Sequence, residues 1–570
     1  MARSIIDPIT RIEGHLRAEM EVEDGVVTNA WVSGGAFRGM ELVVENRTPE
    51  DAAMIVQRIC GVCPVSHSHA ACLAGEKSYG ITIPNNARII RNIVEAGQFL
   101  HSHILWFYNL CALDYVDPLN ALNADPVEAQ RLAEAAGTST YTDFKQLSAR
   151  LTKFAQNGQL SIFSGNWFGS EGGKAGNHKD GDDGLGYNLP AELDLICTAH
   201  YLEALKMQSK ASEICGLIGG KMPHIMTSTV GGTMWVPTEE KLDDLWSLAN
   251  EIYDWVATTM IPDTLALVPY YSKAFDFGKG CGRYVAWGVF DDPSFELANR
   301  YLPSGVIDEN LKLSEVNEDL ITEYIGHSWY QDEGEATLNL NPRQGVTHPE
   351  YTGYYKDEKT LEINDRYTWS KGPAYDGKPH EAGPFSRILA AYLRGVPFFK
   401  EQVDGLLETL GQAGNIGILQ STLGRTAGRQ LESLYIAGLL KEWIQELMEA
   451  VKGGDSEYFR AATTTTGEGT GFWEAPRGAL YHTEHVKDGK ITGYQIIIPT
   501  TWNIAPHNAD GVPGPMEQAL IGVPVKDLEQ PINALRTVHS FDPCTACAVH
   551  ITEPSTGRHF ETVTNPWGVR

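Results

Sequence analysis

No segment of this 570-residue chain approaches the run of ~20 apolar residues that a membrane-spanning helix requires. The first residues, Met1-Ala2-Arg3-Ser4-Ile5-Ile6-Asp7-Pro8, contain no apolar core long enough for a signal peptide. Taken alone, the chain is therefore expected in the cytoplasm unless a partner carries it elsewhere. Excess positive charge is missing too. Lysine and arginine total 45 against 73 acidic residues, a net charge of −28, which argues against nucleic acid as the main partner. Cysteine is scarce. Nine cysteines, an odd number, do not make a disulfide framework in a chain of this length. Material for a core is plentiful, at 42% hydrophobic residues. The length exceeds what a single core usually supports, so the expectation is either several domains or one large interwoven unit.

The few cysteines are unevenly placed. Arg58-Ile59-Cys60-Gly61-Val62-Cys63-Pro64 carries one Cys-x-x-Cys pair, and Asp542-Pro543-Cys544-Thr545-Ala546-Cys547-Ala548-Val549-His550 carries another. This spacing lets two thiolates face one metal ion. Small zinc modules keep such pairs roughly 15–20 residues apart. Here 481 positions separate Cys63 from Cys544, so only a whole folded protein could unite them. Cys72, Cys111, Cys197, Cys215 and Cys281 are scattered and read as buried structural thiols.

Periodicity outlines the rest. Leu16, Ala18, Met20 and Val22 alternate with polar residues, Asp24-Gly25 supplies a turn, and Val26-Val27 begins a return strand. Residues 486–498 repeat the device around Asp488-Gly489. Helical spacing predicts helices over 86–112, 191–218, 238–259, 384–411 and 420–452. The stretch 165–186, rich in glycine, aspartate and lysine, reads as a long surface loop, and 329–378 as irregular surface. The fold class is α+β and mainly α, a central bundle of long helices with β hairpins near the two ends. No linker cleanly separates domains.

Three explanations fit the cysteine pairs: a structural zinc, a redox dithiol, or an active metal site. Neither pair follows a clear βαβ pattern, which disfavours the dithiol. His67 lies seven positions after Cys60 and His550 three after Cys547, while Arg58 and Asp542 precede the pairs. A plain zinc knuckle has no need of so many polar neighbours, whereas a catalytic metal needs groups that orient and tune its ligands.

Several motifs converge on one family. They are Thr10-Arg11-Ile12-Glu13-Gly14-His15, Phe37-Arg38-Gly39-Met40-Glu41, residues 58–63, His200-Tyr201-Leu202-Glu203-Ala204-Leu205 and Gly219-Gly220-Lys221-Met222-Pro223-His224. Ala475-Pro476-Arg477-Gly478, Pro499-Thr500-Thr501-Trp502-Asn503 and residues 542–550 complete the set. In this order, with both cysteine pairs, the chain resembles the large, catalytic subunit of nickel–iron hydrogenases of the respiratory uptake type, and their large-subunit fold is expected. The 160–186 stretch contributes nothing to the match.

The resemblance implies that Cys60 and Cys544 are terminal ligands of a nickel, and that Cys63 and Cys547 bridge it to an iron carrying carbon monoxide and cyanide. Such a centre divides H2 heterolytically. Arg477 matches the arginine held over the open metal face, with Asp542 as its acidic neighbour and Pro476 beside it; taken alone, Arg477 would read as a structural salt bridge. Thr500 is placed to hydrogen-bond a cyanide and His67 to hydrogen-bond near a bridging thiolate. Glu13 matches the group that takes the proton from Cys544; taken alone it would read as a solvated charge. Glu41, the Ile496 carbonyl and His550 match ligands of a second ion, magnesium or iron. Val62 and Leu110 match the wider version of the gas channel's inner end.

The five remaining cysteines lack ferredoxin-type spacing, so the iron–sulfur clusters that carry electrons away belong to an obligate small subunit. A membrane cytochrome or another carrier would follow it. Respiratory members cross the membrane folded, on the small subunit's signal, which implies the periplasmic side of a membrane, with the cytoplasm as the alternative. Residues 1–550 are expected to form one interwoven catalytic unit. Residues 551–570 resemble the extension that a maturation endopeptidase removes after nickel-insertion factors have acted.

Two departures stand out. Most respiratory members have His-Asp-His where this chain has His101-Ser102-His103, which leaves Arg477 with one fewer anion nearby. Cys63-Pro64-Val65-Ser66-His67 also differs from the commonest Cys-Thr form. The alternatives are a hydrogen-sensing subunit, opposed by the extension and by Val62 and Leu110, and a structural zinc protein, opposed by the Glu13, Arg477 and Glu41 motifs. Respiratory-complex relatives that have lost these cysteines are excluded by Cys60, Cys63, Cys544 and Cys547.

Overall fold

Two antiparallel three-stranded sheets, one from each end of the chain, flank the helices. The computed structural model describes residues 2–545 apart from 139–140, 161–185, 333, 335–337, 358, 361 and 529–530. The loop expected over 165–186, apart from Gly186, and the last residues, including Cys547 and His550, lie outside the described residues.

The first sheet is β1 (Ala2–Ile6), β2 (Leu16–Glu23) and β3 (Val26–Gly34), in that order. The hairpin turns at Asp24-Gly25, both with positive φ. β1 is a strand that the alternation pattern does not reveal, since Ile5-Ile6 is too short a run to show a period. The second sheet is β4 (Gly467–Ala475), β5 (Gly478–Lys487) and β6 (Lys490–Ile497). Each end of the chain thus carries a three-stranded meander in place of the expected hairpin.

The long helices that matter here are α1 (Pro64–Tyr79), α2 (Asn85–Ile104), α3 (Ala191–Gly219), α4 (Glu239–Trp255), α5 (Pro384–Leu393), α6 (Pro397–Thr409) and α7 (Thr422–Lys452). The helix expected over 86–112 widens into a π-helical turn at Leu105–Cys111. The one expected over 384–411 is two helices. Gly395, with φ of 78°, ends α5, and Pro397 opens α6, the arrangement that glycine after a helix and proline at its first turn favour. One hydrophobic cluster runs from Ile9 to Phe541, so the two ends of the chain share a core.

β4 is laid directly on α1, and its sequence shows why. Gly467, Gly469 and Gly471 occupy every second position, the strand period. A Cβ at any of them would lie 1.9–2.2 Å from a backbone oxygen of Ser78, Ala74 or Ala70. Only glycine permits this approach, which brings the start of α1 to the end of β4. The stretch expected as irregular surface, 329–378, is in part interior. Trp329, Tyr330 and Trp369 form a buried aromatic cluster with Phe37 against them, and Lys371 is buried.

Candidate active site

The first cysteine pair sits in the loop between a 3-10 turn (Val56–Ile59) and α1, where Pro64 fits the first helical position. Cys60 Sγ accepts the backbone N–H groups of Val62 at 3.2 Å and Cys63 at 3.3 Å. Cys544 follows the helix α8 (Ile532–Ser540). Its N–H donates to Thr500 Oγ1 at 3.0 Å, and Thr500 lies in the short helical turn after β6.

Strand pairing between the chain ends completes the approach. Glu13 and Cys544 form a parallel bridge. Glu13 N–H donates to the Pro543 carbonyl at 3.3 Å, and Thr545 N–H to the Glu13 carbonyl at 2.6 Å. Cys60 Sγ and Cys544 Sγ lie 3.2 Å apart, and a sulfur from each of Cys60, Cys63 and Cys544 falls within 4.8 Å of the others. All three are buried. The Cys63 thiol is pushed well up by hydrogen bonds to Cys544 and Cys60 and by burial. Three crowded thiols in a dry site become thiolates only beside a cation, and a soft thiolate set suits a nickel–iron group. The residues present fit that group.

Cys544 Sγ also donates to Glu13 Oε2 at 3.1 Å. Arg477 is ion-paired through Nη2 with Asp542 Oδ1 at 3.1 Å and donates through Nη1 to Ser102 Oγ at 3.4 Å. Burial pushes the Arg477 guanidinium down, but Asp542 and the three cysteines outweigh it and raise it well above its usual value. Among the described residues, Arg477 Nε and Nη2 donate no hydrogen bond. These are buried N–H groups available to a ligand.

Arg429, on α7, is a site residue that the motifs did not single out. Its Nη1 donates to Asp542 Oδ2 at 3.2 Å, and its guanidinium stacks over Trp106. Burial lowers its pKa to about 10. Asp542 therefore bridges two guanidiniums. The Pro476 carbonyl accepts from Arg387 Nη2 at 2.9 Å, while Arg387 is also paired with Glu432 and Glu474. That network sets the turn that aims Arg477. The available signal was Arg425, Arg429 and Glu432 at helical spacing on one face of a long helix.

His67, one helical turn past Cys63, is fully buried and lowered by burial to about 4. Val62 packs in the cysteine cluster. Leu110 lies in the π-helical turn against the main core, with its carbonyl accepting from Arg11 at 2.6 Å. Glu41 Oε1 accepts the Ile496 N–H at 3.3 Å, and Oε2 accepts the Thr347 hydroxyl at 2.8 Å. Lys371 Nζ lies 3.9 Å from Glu41 and 3.5 Å from Glu323, whose carboxyl burial raises to about 7. A cavity of about 100 Å³ extends from Cys544 and Thr545 to these groups. Lys371 and Glu323 lay in segments without a readable period. The five scattered cysteines are all buried free thiols. None of the described helices is long and apolar enough to cross a membrane.

Comparison with known proteins agrees with this geometry. The nickel-dependent hydrogenase family matches residues 38–550. The chain is 37% identical to the Hydrogenase-2 large chain of Escherichia coli K12 over 579 residues, covering 97% of each. It is also 37% identical to the uptake hydrogenase large subunit of Bradyrhizobium diazoefficiens, covering 97% of this chain and 96% of that one. The Ni-Fe-Se hydrogenase of D. vulgaris Hildenborough superposes with a TM-score of 0.76 at 33% identity, covering 96% of this chain and 100% of that one. Sharing this family's sequence and fold along nearly its whole length, the chain belongs to the nickel-dependent hydrogenases, as a large, catalytic subunit.

Proposed function

We propose that this subunit oxidises H2 reversibly at a nickel–iron group held by Cys60, Cys63, Cys544 and Cys547, with carbon monoxide and cyanide on the iron. The observation that carries the reading is the position of Cys544 Sγ, 3.2 Å from Cys60 Sγ and 3.1 Å from Glu13 Oε2. Thiols from opposite ends of the chain meet there beside a proton acceptor. When bound, the group supplies the heterolytic division of H2. Cys544 Sγ holds the released proton, and Glu13 Oε2 takes it at hydrogen-bond distance and passes it outward. Arg477 keeps its charge in the dry site and polarises H2 or assists proton transfer, while Asp542 holds it in place. The Thr500 oxygen accepts the Cys544 N–H, which leaves the hydroxyl hydrogen to donate to a cyanide. Val62 and Leu110 leave the gas route wide.

Glu41, the Ile496 carbonyl and His550 would hold a second ion, magnesium or iron. Magnesium prefers oxygen ligands and retained water, and Glu41 supplies a carboxylate there. Electrons leave through the clusters of an iron–sulfur small subunit, towards a membrane cytochrome or another carrier. We place the complex on the periplasmic side of a membrane, carried by the small subunit's signal. The family match ends at His550, which supports removal of residues 551–570 by a maturation endopeptidase after nickel insertion. A mature chain ending at His550 in mass spectrometry is the expected result, and one still ending at Arg570 overturns it.

An infrared spectrum of the purified two-chain complex tests the centre. Sharp bands from metal-bound carbon monoxide and cyanide are expected. Their absence from a folded, processed, metal-containing complex overturns the assignment in favour of a structural zinc.

A further inference from the structure

His67 does not stand alone. Its Nδ1 lies 3.3 Å from His482 Nε2, and His482 Nδ1 lies 2.8 Å from the Tyr494 hydroxyl. All three side chains are buried: His67 and His482 are 0% exposed and Tyr494 is 3%. The file crosses from α1 to β5 and on to β6. At its inner end, His67 Nε2 has no partner among the described residues. That nitrogen belongs to a ring in the first turn of α1, four residues after Cys63, which caps the helix, and the charge of Cys60 acts on the ring.

Two neutral imidazoles sharing one N···N contact need one donor and one acceptor, so the file has only two polarities. In one, the Tyr494 hydroxyl donates to His482 Nδ1, His482 Nε2–H donates to His67 Nδ1, and His67 carries its hydrogen on Nε2. In the other, every bond reverses. The Tyr494 hydrogen then has no acceptor among the described residues, and His67 turns a lone pair towards the thiolates. A buried donor left without an acceptor costs roughly 1–3 kcal/mol, and a lone pair facing a thiolate is repulsive as well. Both ends of the file select the first polarity.

We propose that Tyr494 and His482 are positioning residues that lock His67 as an Nε2–H donor aimed at a cysteine sulfur of the metal site. The inference rests on the nickel–iron reading above. A hydrogen bond to that sulfur withdraws electron density, so its loss makes the iron richer in electrons and moves the carbon monoxide band to lower wavenumber.

The test is infrared spectroscopy of the two-chain holoenzyme, with nickel and iron content measured on each sample. Tyr494→Phe is expected to move the band in the same direction as His67→Ala, and to add no shift when combined with it. A band at the wild-type position in fully loaded Tyr494→Phe overturns the proposal, as does an equal shift in the His67→Ala background. His482 provides a second route if Tyr494→Phe does not assemble. His482→Gln keeps an N–H that can donate to His67 Nδ1 without the tyrosine and is expected to hold the wild-type band, whereas His482→Leu is expected to shift it. Identical spectra for these two variants overturn the proposal. Wild-type enzyme without any such bands marks a different failure, that of the nickel–iron reading itself, and the proposal falls with it.

Discussion

Cys544 has two flanks of different character. On one side Glu13 is only half-buried and is tied to the cysteine segment by backbone pairing. On the other, Arg477, Asp542 and Arg429 are each 1% exposed and are held by charge, by a proline carbonyl and by an aromatic face. The first flank can exchange a proton with its surroundings. The second, buried on all three side chains, can hold a permanent field. A centre that must release protons and keep bulk solvent out needs both, and the fold brings both to the cysteine cluster.

Removing the proton acceptor should have the largest effect. Glu13→Gln is expected to lower H2-dependent dye reduction by ~10²–10⁴-fold, the usual contribution of a positioned acid–base group, with the infrared bands unchanged. Retained activity would mean that protons leave by the dry flank. Arg477→Lys keeps the charge and loses the planar fork. It is expected to cost roughly 10²–10³-fold in turnover, comparable to losing one preorganised donor, at undiminished nickel content. A smaller loss would show that charge alone suffices there.

The dry flank should also set the acid limit of the fold. Burial, with Arg477 as the next cause, lowers His101 to about 4, and burial lowers His103 to about 4 despite its bond to Glu432. The unfolded chain takes up these protons near pH 6.5, whereas the folded chain resists until about 4. Stability is therefore complete above 6.5 and is lost as pH falls through that window, by on the order of a few kcal/mol per ring. Thermal midpoints of the complex should drop between pH 6.5 and 4, and less steeply in His101→Gln. Equal slopes would remove His101 from the account. Ser102→Asp, the smallest change, adds an anion beside Arg477. Rates or inhibitor binding are expected to move by less than about tenfold, close to 1.4 kcal/mol; identical kinetics would show that Asp542 already fixes the guanidinium.

Legibility followed locality. The five long helical segments were visible because each carries its own period, although Gly395 and Pro397 split one of them and π-helical turns interrupt two others, at Leu105 and Val256. β1 and the buried cluster of Trp329, Tyr330 and Trp369 were not readable, since a five-residue strand shows no period and aromatics in irregular backbone resemble surface. Cys60, Cys63, Cys544, Glu13 and Arg477 were conspicuous as motif residues. Arg429 and His482 were not, because a charged or polar residue inside an ordinary helix or strand declares nothing until its neighbours are known, and Lys371 was not, because the irregular chain before Gly372 reads as surface.

The amino-acid sequence by itself determined which chemistry is available: four thiolates in two pairs, a carboxylate and an arginine in family motifs, and five further cysteines without the spacing of a cluster that could carry electrons away. Those are properties of residue types, spacing and motif resemblance. Only the tertiary structure decided that Cys544 lies between Glu13 and Cys60, that Asp542 is shared by two arginines, and that His67 ends a file reaching Tyr494. Each of these depends on contacts between residues far apart in sequence, from 65 positions for Asp542 and Arg477 to 531 for Cys544 and Glu13, set by a glycine-lined strand on a helix and by a core common to both chain ends.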